Sequence, residues 1–149
     1  QYAVFEMKDQ EIQLIDCPGI GESIEDDLRI EKIYTELFSK VDFIIWVLRA
    51  DIRNYSSDQK FIEQIKKLEN GNKQFCIALN MIDRIIFESQ GWDNIDDKPN
   101  KSLELLIERK KMYISGLFQI IPNKIIPTVG FKKYNVDKLI ELVISSISL

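Results

Sequence analysis

A carboxylate and a glycine follow a strand-like stretch rich in apolar residues, at 12–15. These residues are Asp16 and Gly19. In an open α/β sheet, ligands bind outside the carboxyl ends of the strands, so Asp16 is well placed to hold a hydrated Mg²⁺, which needs few protein ligands. Gly19 has no side chain, so its N–H can approach a phosphate oxygen. The alternative is an ordinary turn, because Pro18 and Gly19 are common turn formers, and the segment alone does not decide between the two.

Asn80 and Asp83 follow a second strand-like stretch, at 75–79. A carboxylate accepts hydrogen bonds from both the ring N–H and the exocyclic amine of guanine, whereas adenine offers no such pair of donors. Asp83 is therefore a candidate for selecting guanine. The simpler alternative is an Asn at a strand end and an Asp that caps the following turn.

The elements that must position these residues alternate along the chain. Extended stretches are expected at 2–7, 11–15, 43–48, 75–79 and 124–127, helices from Ser23, from Ser56 to Gly71, at 102–118 and at 135–147, and an irregular loop at 85–100. This order, β-β-α-β-α-β-α-β-α, is typical of an α/β domain built on a mostly parallel sheet. The 149 residues suit one domain.

Composition narrows the function classes. The net charge of −4 argues against nucleic acid as the main ligand, and the lack of histidine removes the commonest general base. Two cysteines, Cys17 and Cys76, are expected in buried strands or at their ends. They do not make a disulfide framework, which favours a cytoplasmic protein. The longest apolar run, 43–48, is far too short for a membrane helix, which needs about 20 residues.

The motifs taken together resemble those of the translation-factor-like P-loop GTPases. LIDCPGIGES is similar to their switch segment and ALNMID to their NKxD guanine motif. The chain also resembles a group of bacterial, often prophage-associated GTPases related to the Era and TrmE types. In that group a strand ends in a sequence like Trp46 to Asp51, and a Trp-Asp pair like Trp92 and Asp93 follows the guanine motif. The resemblance implies a three-layer, doubly wound sheet that binds GTP or GDP with Mg²⁺.

The resemblance also implies roles for individual residues. Asp16 would hold Mg²⁺ through water, and the Gly19 N–H would contact the γ-phosphate. Asn80 and Asp83 would bind guanine. The last family motif is expected near Gly130, whose N–H would contact the guanine carbonyl.

The chain departs from the family pattern at three of its nucleotide-binding motifs, one of which is the last motif, near Gly130 and Phe131, where the match is poor. No G-x-x-x-x-G-K-[ST] phosphate loop occurs in it, and family spacing places that loop and the first strand before Gln1. We therefore expect residues 1–149 to be a partial GTPase domain. Met81 occupies the position of the motif's Lys, whose methylene stem covers the base in that family. The thioether side chain of Met81 can cover the base in the same way.

Ile20 lies where Ras-like proteins place the Gln that orients the attacking water. A hydrocarbon side chain cannot orient water, so no catalytic residue is identified. The resemblance implies slow hydrolysis without a protein partner, a homodimer or a cation as activator. The alternative is that Ile20 and Ile24 simply pack under the next helix.

We therefore expect a switch that binds GTP and hydrolyses it to GDP and phosphate when a phosphate loop completes it. The alternative is a degenerate, non-hydrolysing interaction module with a GTPase fold. The fragment alone is expected to be inactive and to fold poorly, because the missing strand would leave the edges of its two neighbours unpaired.

Overall fold

The computed structural model of the chain describes residues 2–7, 10–20, 24–68, 74–85 and 91–147. The strands are β1 (Tyr2–Met7), β2 (Gln10–Ile15), β3 (Phe43–Arg49), β4 (Gln74–Asn80), β5 (Trp92–Asp93), β6 (Lys98–Pro99) and β7 (Ile125–Pro127). The helices are α1 (Ile24–Phe38), α2 (Ser56–Leu68), α3 (Lys101–Phe118) and α4 (Val136–Ile147). The predicted helix start at Ser23 and helix end at Gly71 lie outside the described residues.

A three-stranded parallel sheet forms the centre of the fold, in the order β3-β4-β7. Cys76, Ile77, Ala78 and Leu79 of β4 are all buried, as expected for a strand covered on both faces. In β3 burial alternates, because every second side chain points toward α1 and α2. The predicted α/β class with a mostly parallel sheet is confirmed.

An aromatic cluster joins α1 and α2 to one face of β3. Tyr34, Trp46 and Phe61 are all buried, and their ring centroids lie 5.6–6.4 Å apart. The hydroxyl group of Tyr34 also donates to the carbonyl of Pro18, which ties α1 to the segment after β2. Packing of these rings therefore positions the Asp16–Gly19 segment relative to the sheet.

β1 and β2 form a separate antiparallel hairpin, with Tyr2 opposite Ile15. In the described part of the chain, this hairpin forms no ladder with β3. A cavity of about 530 Å³ is lined by residues of both β2 and β3, and Leu139 of α4 also lines it. Leu14 and Val47, which contribute to its lining, are 50% and 60% exposed. Two strand edges with apolar side chains thus face a common gap.

Two sequence-based expectations differ from the structure. The expected irregular loop at 85–100 contains a short antiparallel ladder between β5 and β6. Cys17 is exposed, as are Gln13 and Leu14 of β2, because among the described strands β2 pairs only with β1 and lies outside the central sheet. Cys76 is buried as expected, and burial raises the pKa of its thiol to about 12.

No helix in the described residues combines the length and apolar character needed to cross a bilayer.

Candidate nucleotide-binding site

The carboxyl ends of the three parallel strands meet at one edge of the sheet. The Ala50 N–H, just after β3, donates to the Asn80 carbonyl at 2.8 Å. The Thr128 N–H, just after β7, donates to the Leu79 carbonyl at 2.8 Å, and the Thr128 carbonyl accepts from Ile82 at 3.4 Å. Backbone hydrogen bonds therefore hold the loops after these strands against each other.

The Asn80 side chain links its own strand to the loop after β7. Its Oδ1 accepts from the Gly130 N–H at 3.0 Å and from the Thr128 hydroxyl at 3.5 Å. Thr128 is 3% exposed, so its hydroxyl depends on a protein partner. The structure thus brings Asn80 and Gly130 together. It also commits the Gly130 N–H to Asn80, so a guanine carbonyl would have to compete for that donor.

Met81 turns the chain sharply after β4. Its backbone has φ 61° and ψ 36°, the left-handed region, which costs a residue with a Cβ about 1–2 kcal/mol. The turn buries Ile82 completely and begins a short 3₁₀ helix, Ile82–Arg84. Residues in such strained backbone conformations are concentrated at functional sites, where the surrounding structure maintains them.

Asp83, in this 3₁₀ helix, has a buried oxygen with no hydrogen-bond partner in the described part of the chain. The residue is half-buried, and its Oδ1 accepts no hydrogen bond from the described residues. A buried acceptor left unpaired costs about 1–3 kcal/mol. A donor on a bound molecule would remove that cost.

Asp16 and Gly19 lie in the segment after β2 and line the cavity between β2 and β3. Both are exposed, and a Cβ added to Gly19 would meet no atom within 4 Å. No hydrogen bond among the described residues joins them to Asn80 or Asp83. Ile20 is half-buried and packs against the core, which agrees with the alternative that this side chain has a packing role. The side chain of Ile24 lies outside what the structure describes.

The same cavity contains a second carboxylate, Asp58 of α2. Its Oδ1 accepts from the Trp46 Nε1–H at 3.0 Å. Burial raises the pKa of Asp58 despite this hydrogen bond. Asp58 is therefore fixed by Trp46, whereas Asp16 is exposed and available to a ligand.

Residues 1–81 match the family described as 50S ribosome-binding GTPase. The match covers more than half of the chain and includes Asp16, Gly19, Asn80 and Met81. The chain belongs to this GTPase family. The resemblance inferred from the motifs is thereby confirmed.

Two proteins of Escherichia coli (strain K12) are similar to part of this GTPase. Uncharacterized protein YkfA is 35% identical over 57 residues, 38% of this chain and 20% of its own length. Uncharacterized protein YfjP is 35% identical over 52 residues, 35% of this chain and 18% of its own length. The matched segments therefore span about a fifth of these relatives.

A solved structure shares the fold of this GTPase. It is the crystal structure of Era in complex with MgGDPNP and nucleotides 1506–1542 of 16S ribosomal RNA. The TM-score is 0.64 at 19% identity, over 97% of this chain and 43% of that chain. The similarity establishes the P-loop GTPase fold across both halves of the chain.

Sequence reasoning missed Thr128 in this GTPase. The signal was present, because Thr128 follows a short strand directly, as Asp16 and Asn80 do. It also missed Lys132, which bonds Asp97 Oδ1 at 3.2 Å. No local pattern marks that pair, since 35 positions separate the two residues.

Proposed function

We propose that this chain is the guanine-recognition and switch portion of a GTPase domain that binds GTP and hydrolyses it to GDP and phosphate. Residues that precede Gln1 in the full-length protein would supply the phosphate-binding loop and the strand that leads into it. Membership of the GTPase family and the P-loop GTPase fold support this proposal.

The observation that carries the proposal is the unpartnered oxygen of Asp83. Asp83 Oδ1 is buried without a hydrogen bond from the described residues, and it follows the strained turn at Met81. Guanine presents a ring N–H and an exocyclic amine on one edge, and a carboxylate accepts both. This residue therefore fits guanine, and adenine lacks the complementary donors.

The cavity between β2 and β3 supports completion by a further strand. The two strands form no ladder with each other in the described part of the chain, and about 530 Å³ of space lies beside them. Exposed Leu14 and Val47 would be covered by an inserted strand. A phosphate loop following such a strand would emerge at the edge of the sheet where Asp16 and Asn80 lie.

Asp16 and Gly19 fit the phosphate end of the nucleotide. Asp16 is an exposed carboxylate on this cavity, a suitable outer partner for a hydrated Mg²⁺. When bound, Mg²⁺ neutralises charge on the phosphates. Gly19 is exposed, and a Cβ there would meet no atom within 4 Å, which supports the approach of a phosphate oxygen to its N–H.

One observation favours a second candidate, a GTPase-fold module that binds partners without hydrolysing GTP. Ile20 occupies the water-orienting position of Ras-like proteins, and it packs against the core. Its hydrocarbon side chain cannot orient the attacking water. In the leading proposal, a protein partner, a second copy or a cation supplies that function.

The proposal is limited to nucleotide binding and turnover. The matched segments span about a fifth of the YkfA and YfjP proteins. Era was solved with ribosomal RNA, but this chain has 24 acidic and 20 basic residues, which gives no general attraction to RNA. We propose a cytoplasmic protein whose main ligand is a guanine nucleotide.

The test is displacement of a fluorescent GDP from the full-length protein by GTP and by ATP, with Mg²⁺ present. Displacement by GTP alone, together with loss of binding in Asp83→Ala, is the expected result. Phosphate release from GTP then separates the switch from the non-hydrolysing module. A folded full-length protein that does not bind fluorescent GDP would overturn the proposal.

A further inference from the structure

A structured hairpin follows the guanine-recognition turn of the chain. β5 and β6 pair Trp92 with Pro99 and Asp93 with Lys98. The connecting turn is closed by Asp93 Oδ1, which accepts from the Ile95 N–H at 2.9 Å and from the Asp96 N–H at 3.3 Å. These hydrogen bonds lower the pKa of Asp93, so the turn is stabilised by an ionised carboxylate at neutral pH.

Three side chains attach this hairpin to the loop at 129–134. Lys132 Nζ lies 3.2 Å from Asp97 Oδ1 and 4.8 Å from the centre of the Trp92 ring. Trp92 Nε1–H donates to the same Asp97 oxygen at 2.9 Å. Charge pairing, a cation–π contact and a charge-assisted hydrogen bond therefore meet in one group, which we name the Trp92–Asp97–Lys132 cluster.

The packing around the cluster is consistent with a fixed arrangement. The Trp92 ring is 9% exposed and meets the Tyr134 ring edge-on, with centroids 5.2 Å apart. Tyr134 forms a backbone bridge with Val129, which closes the 129–134 loop. Only 20% of the Lys132 side chain is exposed, whereas 56% of the Asp97 side chain is exposed.

The loop held by the cluster is the loop that holds Asn80. Gly130, two residues before Lys132, donates its N–H to Asn80 Oδ1 at 3.0 Å. Ile82, the residue before Asp83, donates its N–H to the Thr128 carbonyl at 3.4 Å, two residues before Gly130. The segment held by the cluster is therefore hydrogen-bonded both to Asn80 and to the residue next to Asp83.

We propose that the Trp92–Asp97–Lys132 cluster positions Asp83 against the Asn80–Gly130 pair and thereby sets the preference for guanine over a base that lacks the exocyclic amine. The proposal rests on the function proposed above. Asp97 and Lys132 act through Asp83, so they are positioning residues rather than nucleotide contacts.

The same hairpin offers a matched control. Lys98 Nζ lies 2.7 Å from Asp96 Oδ2, an ion pair of the same chemistry. Both of its side chains are more than half exposed, and both belong to the hairpin itself. Loss of this pair leaves the connection to the 129–134 loop intact.

The experiment measures displacement of fluorescent GDP by GDP and by IDP, whose hypoxanthine base lacks the amine. The full-length protein is compared with Asp97→Asn, Lys132→Met and the double variant, with Asp96→Asn and Lys98→Met as controls. We expect each cluster variant to weaken GDP binding about fivefold, and IDP binding less, so that the ratio of GDP to IDP affinity falls. We expect the double variant to resemble the single ones, Lys132→Arg to keep most of the ratio, and the controls to match the wild type.

Several outcomes would overturn the positioning role. An unchanged ratio in Asp97→Asn and Lys132→Met would do so, even if the thermal stability fell, as would an equal fall in the controls. If Asp83→Ala also left the ratio unchanged, the proposed function itself would fail. A ratio that depends on Asp83 but not on the cluster would overturn this inference alone.

Discussion

Asp83→Ala is expected to change the thermal stability in opposite directions with and without nucleotide. Without nucleotide, the substitution removes a buried acceptor that has no partner among the described residues. Such an acceptor costs about 1–3 kcal/mol. Because Asp83 as a whole is half-buried, we use the lower part of that range, about 1–2 kcal/mol. For a domain of this size the melting temperature would rise by about 2–8 °C.

With GDP, the same substitution removes the proposed acceptor of two hydrogen bonds. At a GDP concentration 100 times the Kd, binding stabilises the wild type by about 2.7 kcal/mol, or about 5–11 °C. Hydrogen bonds to a charged group contribute about 1.5–3 kcal/mol each, so losing two weakens binding at least about 100-fold. The variant would then gain only about 0.4 kcal/mol from the same GDP concentration.

The assay is thermal unfolding of the full-length protein, with Mg²⁺ present, without nucleotide and with GDP or ATP. Asp96→Ala is the control, because this exposed carboxylate pairs with Lys98 within the hairpin. Its melting temperatures should follow the wild type in every condition. A nucleotide-free Asp83→Ala that melts below the wild type would refute the argument about the unpaired oxygen. A full GDP shift in that variant would refute the base contact.

Three further predictions concern other parts of the fold. Asn80→Ala should lower the free energy of unfolding by about 1–3 kcal/mol in urea titrations, because the buried Thr128 hydroxyl loses its acceptor; an unchanged midpoint would contradict this role. Asp58→Asn keeps an acceptor for Trp46 and should stabilise the protein at neutral pH but not below about pH 3. The sign follows because burial raises the pKa of Asp58 in the folded protein. The wild type therefore loses stability as the pH rises from the unfolded pKa of this carboxyl through its folded pKa. Equal stability of Asp58→Asn and the wild type at neutral pH would refute this prediction. The isolated chain 1–149 should associate through its open strand edges in sedimentation experiments, and a monomer with one cooperative thermal transition would exclude this.

The sequence by itself determined the order of the α-helices and of the strands other than β5 and β6, and it predicted which polar residues follow the strands. Period-2 and period-3.6 apolar patterns are local, so they identify strands and helices without knowledge of what those elements pack against. The polar residues that follow the predicted strands, Asp16, Asn80 and Asp83, are likewise identified from the local sequence pattern. Their spacing also supported the GTPase resemblance that the family match confirmed.

The tertiary structure decided which of these residues meet. Asn80 bonds to Gly130, and Lys132 bonds to Asp97, across 50 and 35 positions of sequence. The first contact depends on β7 pairing in parallel with β4, and the second on a hairpin where the sequence indicated only an irregular loop. The left-handed turn at Met81 belongs to this class, because the intrinsic preference of a Met opposes it and only the folded structure shows it. Contacts between distant loops follow from strand order and register, which no single segment of the chain contains.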